Sequence, residues 1–312
     1  MQVSIKKENN LTLIDVSSGD FIVTLCDLGA SLYGIKFHND EMILRVKDSK
    51  DFLIGDLYYG KTIGRICGRV PVGPFDLEGQ HYEFADNNNG ASLHGGFDGL
   101  STKTFDCEIK ENKNDVKVTF SYLSKDKESG YPGNLLLKVI YTIKQNFISL
   151  QYKATVDKPC LFALTNHAYF NLGESDRNLL KLTIPTSKYI DVDEVMLPVR
   201  MLKVKEIWNF KNGQSLSQTG DIDNYFFFDG GNSTVLESRK YRLTVKSDFQ
   251  GVQIYTDNFV CKVPVTSCDK YQYRCVAIEP EDNQLDRKVL RPNEEYERNV
   301  EYRFELLWKK QF

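Results

Sequence analysis

The stretch Leu135–Val156, LLLKVIYTIKQNFISLQYKATV, contains two runs in which apolar residues occupy every second position. The alternating positions are Leu135, Leu137, Val139, Tyr141 and Ile143, followed by Ile148, Leu150, Tyr152, Ala154 and Val156. A period of two places alternate side chains on one face of a strand. Because the polar residues Lys144, Gln145 and Asn146 separate the runs, the stretch predicts a long β-hairpin with one face in a hydrophobic core.

The same alternation recurs on both sides of this hairpin. It is repeated in Val116–Tyr122 and Tyr241–Val245, and aromatic residues, which favour half-buried strands, make up 12% of the chain. Helical periodicity is scarce, and only Ser49–Tyr58 predicts a short helix. No Pro/Ser/Gly-rich linker or fixed-length repeat divides the 312 residues. We therefore expect an all-β protein, one large antiparallel β-sandwich with few short helices, forming a single domain over residues 1–312.

Composition excludes some classes of partner. Charged residues make up 27% of the chain with a net charge of −3, and Lys and Arg are scattered among Asp and Glu. This pattern predicts no nucleic-acid groove and no membrane-surface patch. No apolar run approaches the length of a bilayer-spanning helix, so no membrane partner is expected.

The cysteines and the N-terminus bear on location. Seven cysteines are present, an odd number, and none belongs to a C-x-x-C pair. The spacing of Cys261, Cys268 and Cys275 is wider than that of zinc knuckles, so no metal site is expected and reduced thiols are the simpler interpretation. The first residues, MQVSIKKENN, lack the apolar segment of a signal peptide. These features together predict a cytoplasmic protein.

Several stretches do not fit the strand pattern and carry reactive side chains. They are GKTIGRICGRV (60–70), NNNGASLHGGFDGL (87–100), GYPGNL (130–135), LTNHAYFNLG (164–173), GDIDNYFFFDGG (220–231), GVQIYTDNF (251–259) and AIEPEDNQLDR (277–287). Each candidate also has an ordinary interpretation. His94 can be a turn residue, His167 a hydrogen-bonded core histidine, Glu279 a solvated strand end, Arg69 half of a surface ion pair, and Asp223 a turn cap.

As a set, these side chains suit a neutral polyol. Sugar hydroxyls need paired donors and acceptors, which imidazole, carboxylate and guanidinium groups supply, and aromatic rings cover the C–H faces of a sugar. The competing uses lack their signatures. The chain has no H-E-x-x-H spacing, no G-x-S-x-G elbow, and neither a phosphate loop nor a dinucleotide fingerprint.

In their order along the chain, the motifs GKTIGR, LHGG, GYPGNL, TNHAYFNLG, GVQIYT and IEPE resemble those of the aldose 1-epimerase family, also called galactose mutarotases. The resemblance implies the galactose mutarotase-like supersandwich, an open sugar cleft and no cofactor. It assigns the general acid to His167 and the general base to Glu279. It also places His94 near the sugar ring oxygen and Arg69 and Asp223 on hydroxyls, with looser matches at Tyr169 and Gln253.

Two departures from the family pattern concern the sugar site. The family usually has Asn before the arginine, where this chain has Gly68, and EDNQLDR replaces a proline-containing continuation after Glu279. Glu281 is therefore a second acid, on the same side as Glu279 if the strand continues. Like charges at close range raise the pKa of one of them. We expect Glu281 either to tune Glu279 or to bind the sugar hydroxyl that an amide at position 68 would otherwise bind.

The expected reaction is interconversion of the α and β anomers of a free aldose such as galactose or glucose. It needs one group to take the proton of the anomeric hydroxyl and another to protonate the ring oxygen. We expect His167 to be protonated in the free protein, helped by a nearby carboxylate. The alternatives are a family member acting on a modified sugar such as a sugar phosphate, a non-catalytic carbohydrate-binding protein, or a polysaccharide lyase or hydrolase. The expected partner is a small-molecule sugar, bound by a monomer or homodimer.

Overall fold

The structure, a computed structural model, describes residues 1–307, so the last five residues of the predicted domain lie outside it. Its helices are single 3₁₀ turns, and its other regular elements are strands. Within residues 1–307 the strands are β1 (Gln2–Glu8), β2 (Leu11–Ser18), β3 (Phe21–Cys26), β4 (Ser31–Phe37), β5 (Asp40–Glu41), β6 (Thr62–Ile63), β7 (Arg69–Pro71), β8 (Gly73–Leu77), β9 (Gln80–Phe84), β10 (Ala91–Leu93), β11 (Asp106–Glu111), β12 (Val116–Ser124), β13 (Leu135–Lys144), β14 (Phe147–Val156), β15 (Cys160–Leu161), β16 (Thr165–Asn166), β17 (Tyr169–Phe170), β18 (Lys181–Thr183), β19 (Lys188–Val192), β20 (Pro198–Lys203), β21 (Gln214–Ser215), β22 (Asp223–Phe227), β23 (Ser233–Glu237), β24 (Tyr241–Ser247), β25 (Gly251–Tyr255), β26 (Val276–Glu281), β27 (Val289–Leu290) and β28 (Tyr296–Leu306).

Three antiparallel sheets contain most of these strands. A five-stranded sheet has the order β1-β2-β3-β4-β5, and a nine-stranded sheet has the order β11-β12-β13-β14-β28-β24-β23-β18-β21. A six-stranded sheet has the order β17-β26-β25-β22-β19-β20. The remaining strands form two-stranded pairs, among them β10 with β7 and β16 with β6. The predicted all-β, antiparallel sandwich is therefore confirmed.

The hairpin at Leu135–Val156 forms in the predicted register. β13 pairs with β14 from Leu135 opposite Val156 to Lys144 opposite Phe147, and Asn146 adopts a positive φ of 55° in the turn. Asn accepts this left-handed conformation more readily than most residues. The alternating apolar side chains are buried in a core shared by all three large sheets. Phe170 of β17, for example, packs against Tyr302 of β28 with ring centroids 5.7 Å apart.

The predicted helix at Ser49–Tyr58 is wrong in length and type. Only a 3₁₀ turn forms, Ser49–Leu53, in which the Asp48 side chain accepts a hydrogen bond from the Lys50 N–H. Ile54 is already extended and Gly55 follows it, and a helix this short cannot offset the cost of its nucleation. The other 3₁₀ turns in residues 1–307 are Leu100–Thr102, Glu128–Gly130, Arg177–Leu179, Glu206–Trp208, Phe210–Asn212 and Leu216–Gln218. Across residues 1–307 we find no helix with the length and apolar character needed to cross a membrane.

The six-stranded sheet separates polar from apolar side chains by face. Gln253 lies directly opposite Glu279, Gly251 opposite Glu281, and Asp223 opposite Tyr255. Because opposed residues in antiparallel strands share a face, Asp223, Gln253, Glu279 and Glu281 project to one side. The intervening residues enter the main core from the other face; they include Phe226, Val252, Ile254, Val276 and Ile278. This division brings the site residues of three strands together.

Candidate active site

One pocket on the polar face of the six-stranded sheet brings together all the residues singled out in the sequence. Its lining includes Arg69, His94, His167, Tyr169, Asp223, Gln253, Glu279 and Glu281. The sheet supplies five of these residues, and the segments that contain β7, β10 and β16 supply Arg69, His94 and His167. Residues far apart in sequence therefore form one continuous surface.

Main-chain hydrogen bonds fix His167 at the base of the pocket. Its N–H donates to the Lys61 carbonyl at 3.0 Å, and its own carbonyl accepts from the Gly60 N–H at 2.9 Å. The imidazole stacks between the rings of Tyr58 and Tyr169, with centroids 5.8 and 4.7 Å away. These rings exclude water from the imidazole and strengthen electrostatic interactions around it.

The imidazole meets the carboxyl group of Glu279. Nε2 of His167 lies 3.4 Å from Oε1 of Glu279, and both side chains are almost completely buried. Burial lowers the pKa of His167 to about 3. It raises the pKa of Glu279 well above its usual range, and the negative charges of Glu281 and Asp223 add to that increase. Both shifts favour an uncharged pair, an imidazole beside a carboxylic acid.

The expectation that His167 is protonated in the free protein is therefore wrong. Its aromatic surroundings disfavour the imidazolium more strongly than a single carboxylate favours it. Glu279 takes up the proton instead, because the carboxylate is equally desolvated and has further negative charges beside it. The pair still contains one donor and one acceptor, with the proton on the carboxyl group.

A close-packed glycine turn orients His94. The Gly68 N–H donates to His94 Nδ1 at 3.2 Å, and the His94 N–H donates back to the Gly68 carbonyl at 3.0 Å. Burial lowers the pKa of His94 well below its usual range, and the positive charges of Arg69 and Arg287 lower it further. The ring is therefore neutral with its hydrogen on Nε2, which can donate to a ligand. A Cβ at Gly95 would lie 2.0 Å from the Gly64 carbonyl oxygen, so the turn requires glycine.

A polar chain forms one wall of the pocket. Arg69 Nε donates to Asn88 Oδ1 at 2.9 Å, and Arg69 Nη1 lies 3.5 Å from Asp223 Oδ2. Gln253 Nε2 donates to the other Asp223 oxygen at 2.7 Å. Burial raises the pKa of Asp223, and Arg69 and Gln253 oppose that increase. The wall thus presents fixed donors and acceptors to a hydroxylated ligand.

Tyr169 and Glu281 differ in how they contribute. Tyr169 packs its ring on His167 and meets Tyr59 edge-on, with centroids 4.8 Å apart, so it supports the imidazole. Glu281 projects to the same side as Glu279, as predicted, and its charge raises the pKa of Glu279. The pKa of Glu281 is itself raised by burial, against hydrogen bonds from Cys67 and Gln284.

One of the unusual sequence stretches, GYPGNL, is structural. Arg65 is buried, and its Nη1 donates to the carbonyls of Pro132 and Gly133 at 3.0 and 2.9 Å. GYPGNL therefore anchors the strand that leads to Arg69 and does not line the pocket.

His38 and His81 lie at the surface beside Asp20 and Asp76. In the described part of the chain, no group of three or more His, Cys, Asp or Glu side chains is arranged to hold a metal ion.

Tyr58, Asn88 and Gln284 are among the pocket residues that were missed in the sequence. Tyr58 stacks on His167, Asn88 binds Arg69, and Gln284 lies beside Glu281. Asn88 and Gln284 fall inside stretches that already stood out, NNNGASLHGG and IEPEDNQLDR, yet neither has a reactive group. Tyr58 carried no usable signal, because it is the last residue of the stretch that the pattern predicted to be helical.

The fold and pocket define a class, a β-sandwich with a polar pocket that contains a buried imidazole–carboxyl pair. Comparison with known proteins agrees. The family model described as aldose 1-epimerase matches residues 12–303. The chain is 28% identical to an aldose 1-epimerase of Escherichia coli over 326 residues, which covers 92% of this chain and 93% of the relative. It is 30% identical to a galactose mutarotase of Bos taurus over 237 residues, or 70% of this chain and 68% of the relative.

Solved structures give the same result. A galactose 1-epimerase from Lactobacillus acidophilus superposes with a TM-score of 0.89 at 26% identity, covering 98% of this chain and 99% of that one. An aldose epimerase homologue from C. elegans superposes with a TM-score of 0.87 at 24% identity, covering 96% and 100%. The chain belongs to the aldose 1-epimerase family, whose members are isomerases.

Proposed function

We propose that this protein interconverts the α and β anomers of a free aldose such as galactose or glucose. The observation that carries the proposal is the contact between His167 Nε2 and Glu279 Oε1, 3.4 Å apart inside a polar pocket. Mutarotation needs one proton donor and one proton acceptor at the same hemiacetal. A buried pair that holds a single proton supplies both.

The proton is passed between the partners during each half of the reaction. Before ring opening, the proton of the uncharged pair moves from Glu279 to His167. Glu279 as carboxylate then takes the proton from the anomeric hydroxyl, and His167 as imidazolium delivers one to the ring oxygen. The C1–C2 bond of the open aldehyde then rotates, and ring closure reverses both transfers on the other face. Opening converts a charged pair into an uncharged one. Because burial favours the uncharged pair, the site favours the open-chain state.

The remaining polar groups hold the sugar. Arg69, Asp223 and Gln253 are proposed to bind hydroxyls, and the Nε2 hydrogen of His94 to bind near the ring oxygen. Tyr255 and Phe259, whose rings stack with centroids 6.2 Å apart, border the same pocket. Such rings suit the C–H faces of a pyranose.

The charge balance of the pocket favours neutral sugars over phosphorylated ones. The carboxyl groups of Asp223, Glu279 and Glu281 face it, and the guanidinium of Arg69 already lies beside Asp223. Arg65 and Arg287, the other arginines that contact this segment, donate to main-chain carbonyls. Binding of a phosphate group requires clustered cationic donors, so we propose a free aldose as the substrate in preference to a sugar phosphate.

Polarimetry tests the proposal directly. Freshly dissolved α-galactose and α-glucose are followed to equilibrium with and without the protein. We expect faster approach to the same final rotation with at least one sugar. Binding without acceleration would support a carbohydrate-binding protein instead, and acceleration confined to a phosphorylated aldose would support the modified-sugar alternative.

We also propose a cytoplasmic location and a monomer or homodimer. Four cysteines, Cys26, Cys67, Cys160 and Cys275, are buried as free thiols, which fits a reducing compartment. Cell fractionation tests the location, and light scattering after size-exclusion chromatography tests the oligomeric state. Recovery of the protein outside the cytoplasm, or a larger assembly, would contradict these proposals.

A further inference from the structure

A side chain from the segment after β26 fills the space beside Gly68. Gly68 has a φ of +70°, and its main-chain groups both bond to His94. A Cβ built on Gly68 would lie 3.2 Å from Gln284 Nε2, and 3.5 Å from both Gln284 Cδ and Arg287 Nη2. Gln284 therefore packs against the bare α-carbon, and the missing side chain at position 68 gives it room.

Gln284 connects two groups that already line the pocket. Its Nε2 donates to Oε1 of Glu281, and it donates to Gln253 Oε1 at 3.3 Å. A primary amide has two hydrogens, so these contacts use both. Among the hydrogen bonds within residues 1–307, none involves Gln284 Oε1. That oxygen is free to accept from a ligand.

Gln253 joins this amide to the wall formed by Asn88, Arg69 and Asp223. Its Nε2 donates to Asp223 at 2.7 Å, while its Oε1 accepts from Gln284. The polar chain thus continues through Gln253 to Gln284 and Glu281. Its end lies away from the reacting pair, because Glu281 is two residues beyond Glu279 along β26, or about 7 Å.

We propose that Gln284 is a specificity-determining residue that binds, together with Glu281, one hydroxyl of the sugar away from the anomeric carbon. The hydroxyl donates its one hydrogen to Gln284 Oε1, and its oxygen accepts from the carboxyl group of Glu281 when that group is protonated. The inference rests on the proposed function only in taking a sugar as the ligand. It assigns to Gln284 the selection among sugars that differ at one hydroxyl, and leaves proton transfer to His167 and Glu279.

The test combines a protein change with removal of single substrate hydroxyls. Equilibrium binding of galactose, of glucose and of their 2-, 3-, 4- and 6-deoxy derivatives is measured by calorimetry for the wild type and Gln284→Met. We expect Gln284→Met to weaken binding of the parent sugar about threefold to tenfold. For one deoxy sugar, which lacks the bound hydroxyl, the two proteins should bind equally. If Gln284→Met weakens binding of every deoxy sugar as much as it weakens binding of the parent sugar, the two changes are additive and the proposal is overturned.

A second set of variants separates removal of the amide from a disturbed pocket. Asn is the side chain that best tolerates a positive φ, but in Gly68→Asn it meets Gln284 and should weaken binding. Gly68→Asn combined with Gln284→Ala makes room for the new amide and should recover at least half of the affinity. No recovery would count against a hydroxyl-binding amide at this wall. Gln214→Met on β21, outside the pocket lining, is the control and should bind every sugar as the wild type does.

Polarimetry on the same proteins separates this inference from the proposed reaction. One result is that the effect of Gln284→Met on binding disappears for one deoxy sugar while the protein does not accelerate mutarotation. This result supports the Gln284 subsite and overturns the proposed reaction. Acceleration with additive binding effects overturns the subsite alone. Failure of every sugar in the panel to bind overturns both.

Discussion

His167 and Glu279 are proposed to act as one unit, so removal of either should have similar consequences. His167→Asn and Glu279→Gln each keep a polar side chain at the position but remove one of the two proton-transfer groups. We expect each variant to lower the polarimetric rate about 10²- to 10⁴-fold. The circular dichroism spectrum should stay that of the wild type. A variant that keeps near-full activity would contradict the role assigned to its residue.

Glu281 should set the alkaline limit of activity. Its negative charge raises the pKa of Glu279, so Glu281→Gln should lower that pKa. Because the pair must hold one proton, kcat/KM falls at the pH where Glu279 of the free protein loses its proton. In Glu281→Gln this alkaline decline of kcat/KM should move to lower pH. Glu111→Gln, an exposed change on β11, is the matched control. A decline that stays in place or moves to higher pH would contradict the tuning.

Sequence reasoning at this scale found the residues with reactive groups but misjudged their protonation. His94, His167 and Glu279 stood out because their motifs interrupt the strand pattern. The pKa of His167 depends on how completely Tyr58 and Tyr169 enclose the ring, which is a property of the assembled pocket. Gln284 was missed for a related reason, since its importance comes from the space beside Gly68.

The β13–β14 hairpin gives a test at the scale of an element. Leu137 is completely buried, whereas its neighbour Leu136 is 45% exposed on the opposite face. Leu137→Ala should lower the free energy of unfolding by about 2–5 kcal/mol. Leu136→Ala should change it by about 0.5 kcal/mol or less. Denaturant titration of both variants checks the predicted face, and equal effects would contradict it.

Elements with a clear period were predictable, and short irregular ones were not. The alternation in Leu135–Val156 determined the hairpin and its register, because a one-residue slip would move every apolar side chain into water. The two-stranded pairs β16–β6 and β10–β7 have no such pattern. They form because the surrounding packing aligns their main chains, and they are the elements that position His167, Arg69 and His94.

For the whole molecule, we propose that residues 1–312 form one domain. The largest hydrophobic cluster within the described residues extends in sequence from Ile14 to Phe304 and includes side chains of all three large sheets. A shared core couples the sheets, so thermal unfolding should show one cooperative transition. Near- and far-ultraviolet circular dichroism should give the same midpoint. Two separated transitions would contradict the single domain.

The division of faces in the six-stranded sheet also limits how this protein can change over evolutionary time. Inserting or deleting one residue within β25 or β26 would move every later side chain of that strand to the opposite face of the sheet. Carboxyl and amide groups would then enter the hydrophobic core, and branched aliphatic side chains would enter the pocket. Descendants with new preferences should therefore arise by point replacement in these strands, while length variation accumulates in the connecting loops.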